Sequence, residues 1–158
     1  MNRPKLHVIG ELMNNSYARA RKAWQARDIA GYQELARIQT DLGVSYLTLN
    51  IDGTQKLPVT LQEMLDFLPQ VIPAIQEVTS VPLSFDNPDV AFHRQCLKYY
   101  DAGKSHGRPI LNSISVLKWD ARTQMPPGGG ETRGYQLATL SRIAQRVREG
   151  ASLAAEVF

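Results

Sequence analysis

The chain has 158 residues, 43% of them hydrophobic and 21% charged, with one cysteine, 11 glycines and 9 prolines; this globular composition excludes a disordered tail, a collagen and a disulfide scaffold. A domain of this size buries roughly 68–70% of the surface its unfolded chain exposes, enough for a core without staples, whereas a complete (β/α)8 barrel typically takes about 250 residues. The formal net charge of +3 is scattered rather than massed, so no nucleic-acid footprint follows, and Arg19, Arg21, Lys22 and Arg27 are expected on the solvated face of a helix.

The N-terminal residues lack the apolar core of a signal peptide, and no apolar run of about 18 residues occurs, so a soluble cytoplasmic protein without a membrane partner is expected. Residues 6–11 (Leu-His-Val-Ile-Gly-Glu) read as a buried strand bounded by Pro4 and by Asn14-Asn15-Ser16, with Ser16 as a helix N-cap. Helix formers dominate from Tyr17 to Leu42. Asp28 is expected to break them into two segments by capping the second, and Gly43 to supply the left-handed C-terminal position. Tyr46 to Ile51 reads as a second strand ending at the turn signal Asp52-Gly53.

Thr60-Leu-Gln-Glu63 is a capping box, and Leu61, Met64, Leu65, Leu68, Val71, Ile72 and Ile75 repeat at helical spacing, with Pro69 and Pro73 expected to kink or split the helix. Val81 to Phe85 predicts a third strand ending at Asp86. Asn87-Pro88 reads as an N-cap and N1 proline opening a helix that runs to about Asp101 and stops at Gly103. Pro109 to Ser115 reads as a fourth strand. The order βαβαβαβ argues for α/β architecture with a parallel sheet of four βα steps. Pro126 to Gly130 then reads as a linker, and Glu131 to Phe158 as a C-terminal helix with an apolar stripe from Leu137 to Leu153 interrupted by Gly150.

In a parallel α/β sheet, chemistry gathers at the carboxyl ends of the strands. Those ends carry Glu11 and Asn14, then Asn50 and Asp52, then Asp86, and lastly Asn112, Ser113 and Ser115. Carboxylates and carboxamides with hardly a cation among them suit a neutral heterocycle rich in N–H and C=O groups better than a phosphate. No glycine-rich phosphate fingerprint follows a strand. His7, His93 and His106 lack ligand spacing, and one cysteine cannot build a thiolate metal site. Asn50, Asp52 and Asp86 also read as plain turn formers. Asn112 within an apolar strand needs hydrogen-bond partners wherever it lies. Cys96 reads as a small buried residue, His93 as a helix-surface residue, and Met13 and Met64 as core fillers.

Val8-Ile-Gly-Glu11 to Asn14, Ala23-Trp-Gln-Ala-Arg-Asp28, Gln39, Leu47-Thr-Leu-Asn50, Pro82-Leu-Ser-Phe-Asp86 and Ile110-Leu-Asn-Ser113 together resemble the pterin-binding methyltransferases. That family includes methyltetrahydrofolate:corrinoid iron-sulfur protein methyltransferase, the folate module of cobalamin-dependent methionine synthase and, more distantly, dihydropteroate synthase. The resemblance covers residues 6 to about 118. It implies a (β/α)8 barrel with the pterin across the strand ends, held at its amino-pyrimidine edge by Asp86 and Asn112. Where relatives often carry Asp-x-Asn on the second strand this chain has Thr48 and Asn50, losing a carboxylate unless Asp52 replaces it. The family's Gly-Glu-Arg-x-Asn run stands as Gly10-Glu11-Leu12-Met13-Asn14, without the arginine.

The resemblance therefore implies residues 1–118 as half of a TIM-type barrel, beyond which 119–158 read from their own pattern as a linker and helix. It implies methyltetrahydrofolate as substrate, with its N5-methyl passing to the cobalt of a corrinoid on a partner protein. Glu11, Asn14, Asn50, Asp52, Asp86, Asn112 and Ser113 are the pterin-binding candidates. An active fragment, a half-barrel completed as a homodimer, a folate-binding module without catalysis, and a truncated or frame-shifted remnant all stay open.

Overall fold

The structure, a computed structural model, describes residues 6–112. Strand β1 spans Ile9–Asn14, helix α1 Ala18–Ala26, α2 Ile29–Asp41, β2 Tyr46–Asn50, α3 Leu61–Val78, β3 Leu83–Asp86, α4 Val90–Tyr99 and β4 Ile110–Asn112, with a 3-10 turn at Ala102–Lys104. The four strands are all parallel, in the order β1-β2-β3-β4. Successive helices touch, α1 on α2, α2 on α3 and α3 on α4. They form one layer, so the described residues make an α/β fold with a four-stranded parallel sheet. The stretch 113–118, the Pro126–Gly130 linker and the helix expected over Glu131–Phe158 lie outside the described residues. Among the described residues, no helix is long and apolar enough to cross a membrane.

The core follows from the period of the strands. Met13, Leu47, Leu49, Leu83 and Phe85 are fully buried and alternate with Thr48, Asn50, Ser84 and Asp86, so the apolar set lies on one face of the sheet and the polar set on the other. Against the apolar face α2 and α3 bring Tyr32, Leu35, Leu68 and Ile72, all buried. Each such large side chain contributes about 1.5–3 kcal/mol by leaving water. The Trp24 ring meets Phe67 edge-on at 5.2 Å, and the Arg27 guanidinium stacks 3.8 Å over Trp24.

Local signals set the helix ends. The Asp28 carboxylate accepts from Gly31 N at 2.9 Å and opens α2, after Arg27 has taken a left-handed φ of 50°. Gly43, at φ 76°, closes the turn after α2. The Thr60–Glu63 capping box is present. Pro69 and Pro73 do not split α3, which runs unbroken. Pro69 has no N–H for the carbonyl of Leu65 four residues back, and Gln95 Nε2 from α4 donates to that oxygen at 3.2 Å instead.

Several boundaries differ from expectation. β1 lies at residues 9–14 rather than 6–11: Val8 O accepts from Ser45 N at 2.7 Å, which begins the pairing, and Asn15 N donates to Asn50 O at 3.0 Å, which extends it. Leu6 and Val8 stay exposed. Ser16 does not cap α1: the helix starts after Tyr17, which has no side-chain cap, and Ser16 lies in the turn before it, its N–H donating to Asn14 Oδ1 at 2.8 Å. Asn87 likewise accepts from Asp89 N at 2.8 Å, and Asp89 caps α4 through Ala91 N. That helix ends at Tyr99, short of Asp101, and Gly103 sits in the 3-10 turn capped by Asp101. His93 is fully buried rather than on the helix surface.

Candidate functional site

The polar residues meet at the carboxyl ends of the strands. Asn14 pairs in register with Asn50, and Asp86 with Asn112. Leu49 pairs with Phe85, so Asn50 and Asp86 follow as neighbours, and Asn50 Nδ2 donates to Asp86 Oδ2 at 2.9 Å. The result is a terminal row Asn14, Asn50, Asp86, Asn112 crossing the whole sheet. Asn87 N donates to Asn112 O at 3.3 Å, which ties the loop after β3 to the end of β4.

Glu11 lies one pleat below this row and reaches it through an irregularity in β1. Gly10 pairs with Leu47 but Met13 with Leu49, so Glu11 and Leu12 together stand opposite Thr48, a β-bulge. The extra N–H, that of Leu12, donates to Gln39 Oε1 of α2 at 2.8 Å. The Glu11 carboxylate accepts from Thr48 Oγ1 at 2.9 Å and from Asn14 Nδ2 at 3.1 Å. Glu11 of the first strand thus brings a carboxylate onto the Thr48 hydroxyl.

Asp52 plays a different part. Its N–H donates to Asn50 Oδ1 at 3.1 Å, and its backbone carbonyl accepts from Asn15 Nδ2 at 3.1 Å, so these contacts shape the rim above β2. Arg21 tightens the opposite rim, donating to the carbonyls of Asn15 and Ser16. Arg21 is thus half-buried where a solvated face was expected, while Arg19, Lys22 and Arg27 are exposed. Ser113 lies outside the described residues.

The structure adds members that the sequence reading left unassigned. Ser84 pairs in register with Thr48 on the face that carries Asp86, and both are 0% exposed. Ser84 Oγ has no hydrogen-bond partner among the described residues. The signal was a polar residue two positions before Asp86 in an otherwise apolar strand. Asn15, also fully buried, was read only as a strand boundary.

Below the β3–α4 loop, His93 Nε2 lies 2.6 Å from Asn87 O, and Nδ1 has no partner among the described residues. Burial pulls the imidazole below its usual range, while the Asn87 carbonyl, Asp89 and Asp86 act the other way. Cys96, buried one helical turn on, has its thiol pushed well up by desolvation; it is a neutral core residue. Among the described residues no three His, Cys, Asp or Glu side chains are grouped to hold a metal ion.

Chemically, the row offers hydrogen-bond acceptors at Glu11 and Asp86, with carboxamides between and beside them. Such a set has the hydrogen-bonding capacity to hold a flat group with several N–H donors and nearby acceptors. No protein-family model matches the chain.

Proposed function

We propose that the chain binds a reduced pterin, methyltetrahydrofolate, across the carboxyl ends of β1–β4, and that it is related to the enzymes that pass the N5-methyl group to a corrinoid on a partner protein. The observation that carries this reading is the terminal row Asn14–Asn50–Asp86–Asn112, knit by the Asn50–Asp86 hydrogen bond. The amino-pyrimidine edge of a pterin presents adjacent N–H donors, which Asp86 accepts, next to ring acceptors and donors that the Asn112 carboxamide matches. The sequential strand order supports a half-barrel of TIM type, since it puts every helix on one face and leaves the polar face as a barrel interior would lie. The β1 edge, where Leu6 is 83% exposed and Val8 and Ile9 are also exposed, supports completion of such a half-barrel by a second copy.

Fluorescence titration of the purified protein with methyltetrahydrofolate tests the reading, with saturable binding expected. Absence of binding at millimolar ligand overturns it. Methyl transfer to a reduced corrinoid separates an active methyltransferase from a binding module, and sedimentation reports the dimer.

A further inference from the structure

One pleat below the terminal row lies a second polar rung, Glu11–Thr48–Ser84, about 7 Å deeper along the strands. Its members differ sharply in how they are satisfied. The Glu11 carboxylate is held by two donors, Thr48 Oγ1 and Asn14 Nδ2, and is itself exposed. Thr48 is satisfied by Glu11. Ser84 Oγ, fully buried, is left with no partner among the described residues.

A buried hydroxyl without a partner costs stability. Alanine would occupy the same space without that cost. The Asn50–Asp86 bridge lies immediately above on the same face. It is a bond between two groups that a ligand donor can replace, since Asp86 Oδ2 can accept from a ligand N–H as well as from Asn50 Nδ2.

We infer that Ser84 is a ligand-binding residue: its hydroxyl donates to a carbonyl oxygen or ring nitrogen on the edge of a planar heterocycle that enters deepest, while Glu11 accepts an N–H from the same ligand. The inference deepens the pterin reading and rests on it. The ligand takes the place of Asn50 at Asp86 and descends to the Thr48–Ser84 rung, so that the hydroxyl without a partner among the described residues gains one in the complex. Thr48 acts through Glu11 as a positioning residue, fixing the carboxylate toward the ligand.

Ser84→Ala tests this with two readouts, thermal melting of the free protein and fluorescence titration with methyltetrahydrofolate, alongside wild type and Asp86→Ala. The expected result is a melting temperature for Ser84→Ala equal to or above wild type, together with affinity at least fivefold weaker. A purely structural serine gives the reverse pattern, a lower melting temperature with unchanged affinity, and overturns the inference. If wild type binds, Asp86→Ala does not, and Ser84→Ala matches wild type, the inference falls while the pterin reading stands. If wild type does not bind, both fall.

Discussion

Asn14 and Asn50 each use the two ends of one carboxamide for different work. The oxygen closes a local turn on the N–H two residues on, Ser16 and Asp52 respectively, and the nitrogen donates across to a carboxylate, Glu11 or Asp86. Turn former and site residue are thus compatible readings of the same side chain, which is why sequence pattern alone left them open. Asn50→Asp separates the two roles. The turn acceptor survives, but a carboxylate now faces Asp86, and one acid of the pair is pushed above its unfolded value near 3.9. A raised carboxyl pKa removes stability above the unfolded value, so the variant should be less stable by at least about 1.5 kcal/mol at pH 7. Urea melts should show the gap to wild type closing as pH falls toward 4.5, and a gap that is constant with pH would contradict the pairing. For the ligand, Asp86→Ala and Asn112→Ala should each weaken methyltetrahydrofolate at least tenfold, about 1.4 kcal/mol; titrations giving wild-type affinity would place the site elsewhere.

Among the elements, β1 depends most on a distant residue. Its bulge turns Glu11 onto Thr48, and the N–H left over at Leu12 is accepted by Gln39, whose own amide nitrogen donates to Leu35 O at 3.0 Å. A β-carbon added to Gly10 would stand 2.4 Å from Gln39 Oε1, so glycine there lets the helix side chain reach the strand. Gln39→Leu keeps the volume roughly and leaves the Leu12 N–H without its acceptor, at a cost of about 1–3 kcal/mol. It should also weaken ligand binding, because the bulge no longer holds Glu11; a melt as stable as wild type would show that the bulge needs no such support. This dependence was not legible in the sequence, since Gln39 is 27 residues from Leu12. Caps formed by a single nearby pattern were legible, as at Asp28 and Thr60. The caps at Ser16 and Asn87 were misplaced because asparagine turns, Asn14 on Ser16 N and Asn87 on Asp89 N, carry the chain on before each helix begins. His93 was misread as a surface residue although Cys96 three positions on shares its helix face.

For the whole molecule, the alternation of strand and helix patterns made the parallel sheet legible, and the polar residues that close each strand made its polar edge so. The pairing partners were not, because the bulge shifts the register of β1 by one residue against β2. Global stability brings the two buried titratable residues of α4 together. His93 is held neutral by burial, so its folded pKa lies below the unfolded value near 6.5. As pH falls through that value the unfolded chain takes up a proton that the folded one refuses, and stability drops by up to about 1.4 kcal/mol per pH unit. Cys96 does the opposite, because its thiol is raised well above the usual 9.0: above that value the unfolded chain loses a proton that the folded one keeps, and stability again declines. Melting temperature should therefore be flat from about pH 6.5 to 8.5 and fall on either side. His93→Gln should shallow the slope between pH 5 and 6.5, and Cys96→Ala that above pH 9, each whatever its effect on stability at pH 7.5. Slopes identical to wild type in both variants would overturn the assignment of the two limbs to His93 and Cys96.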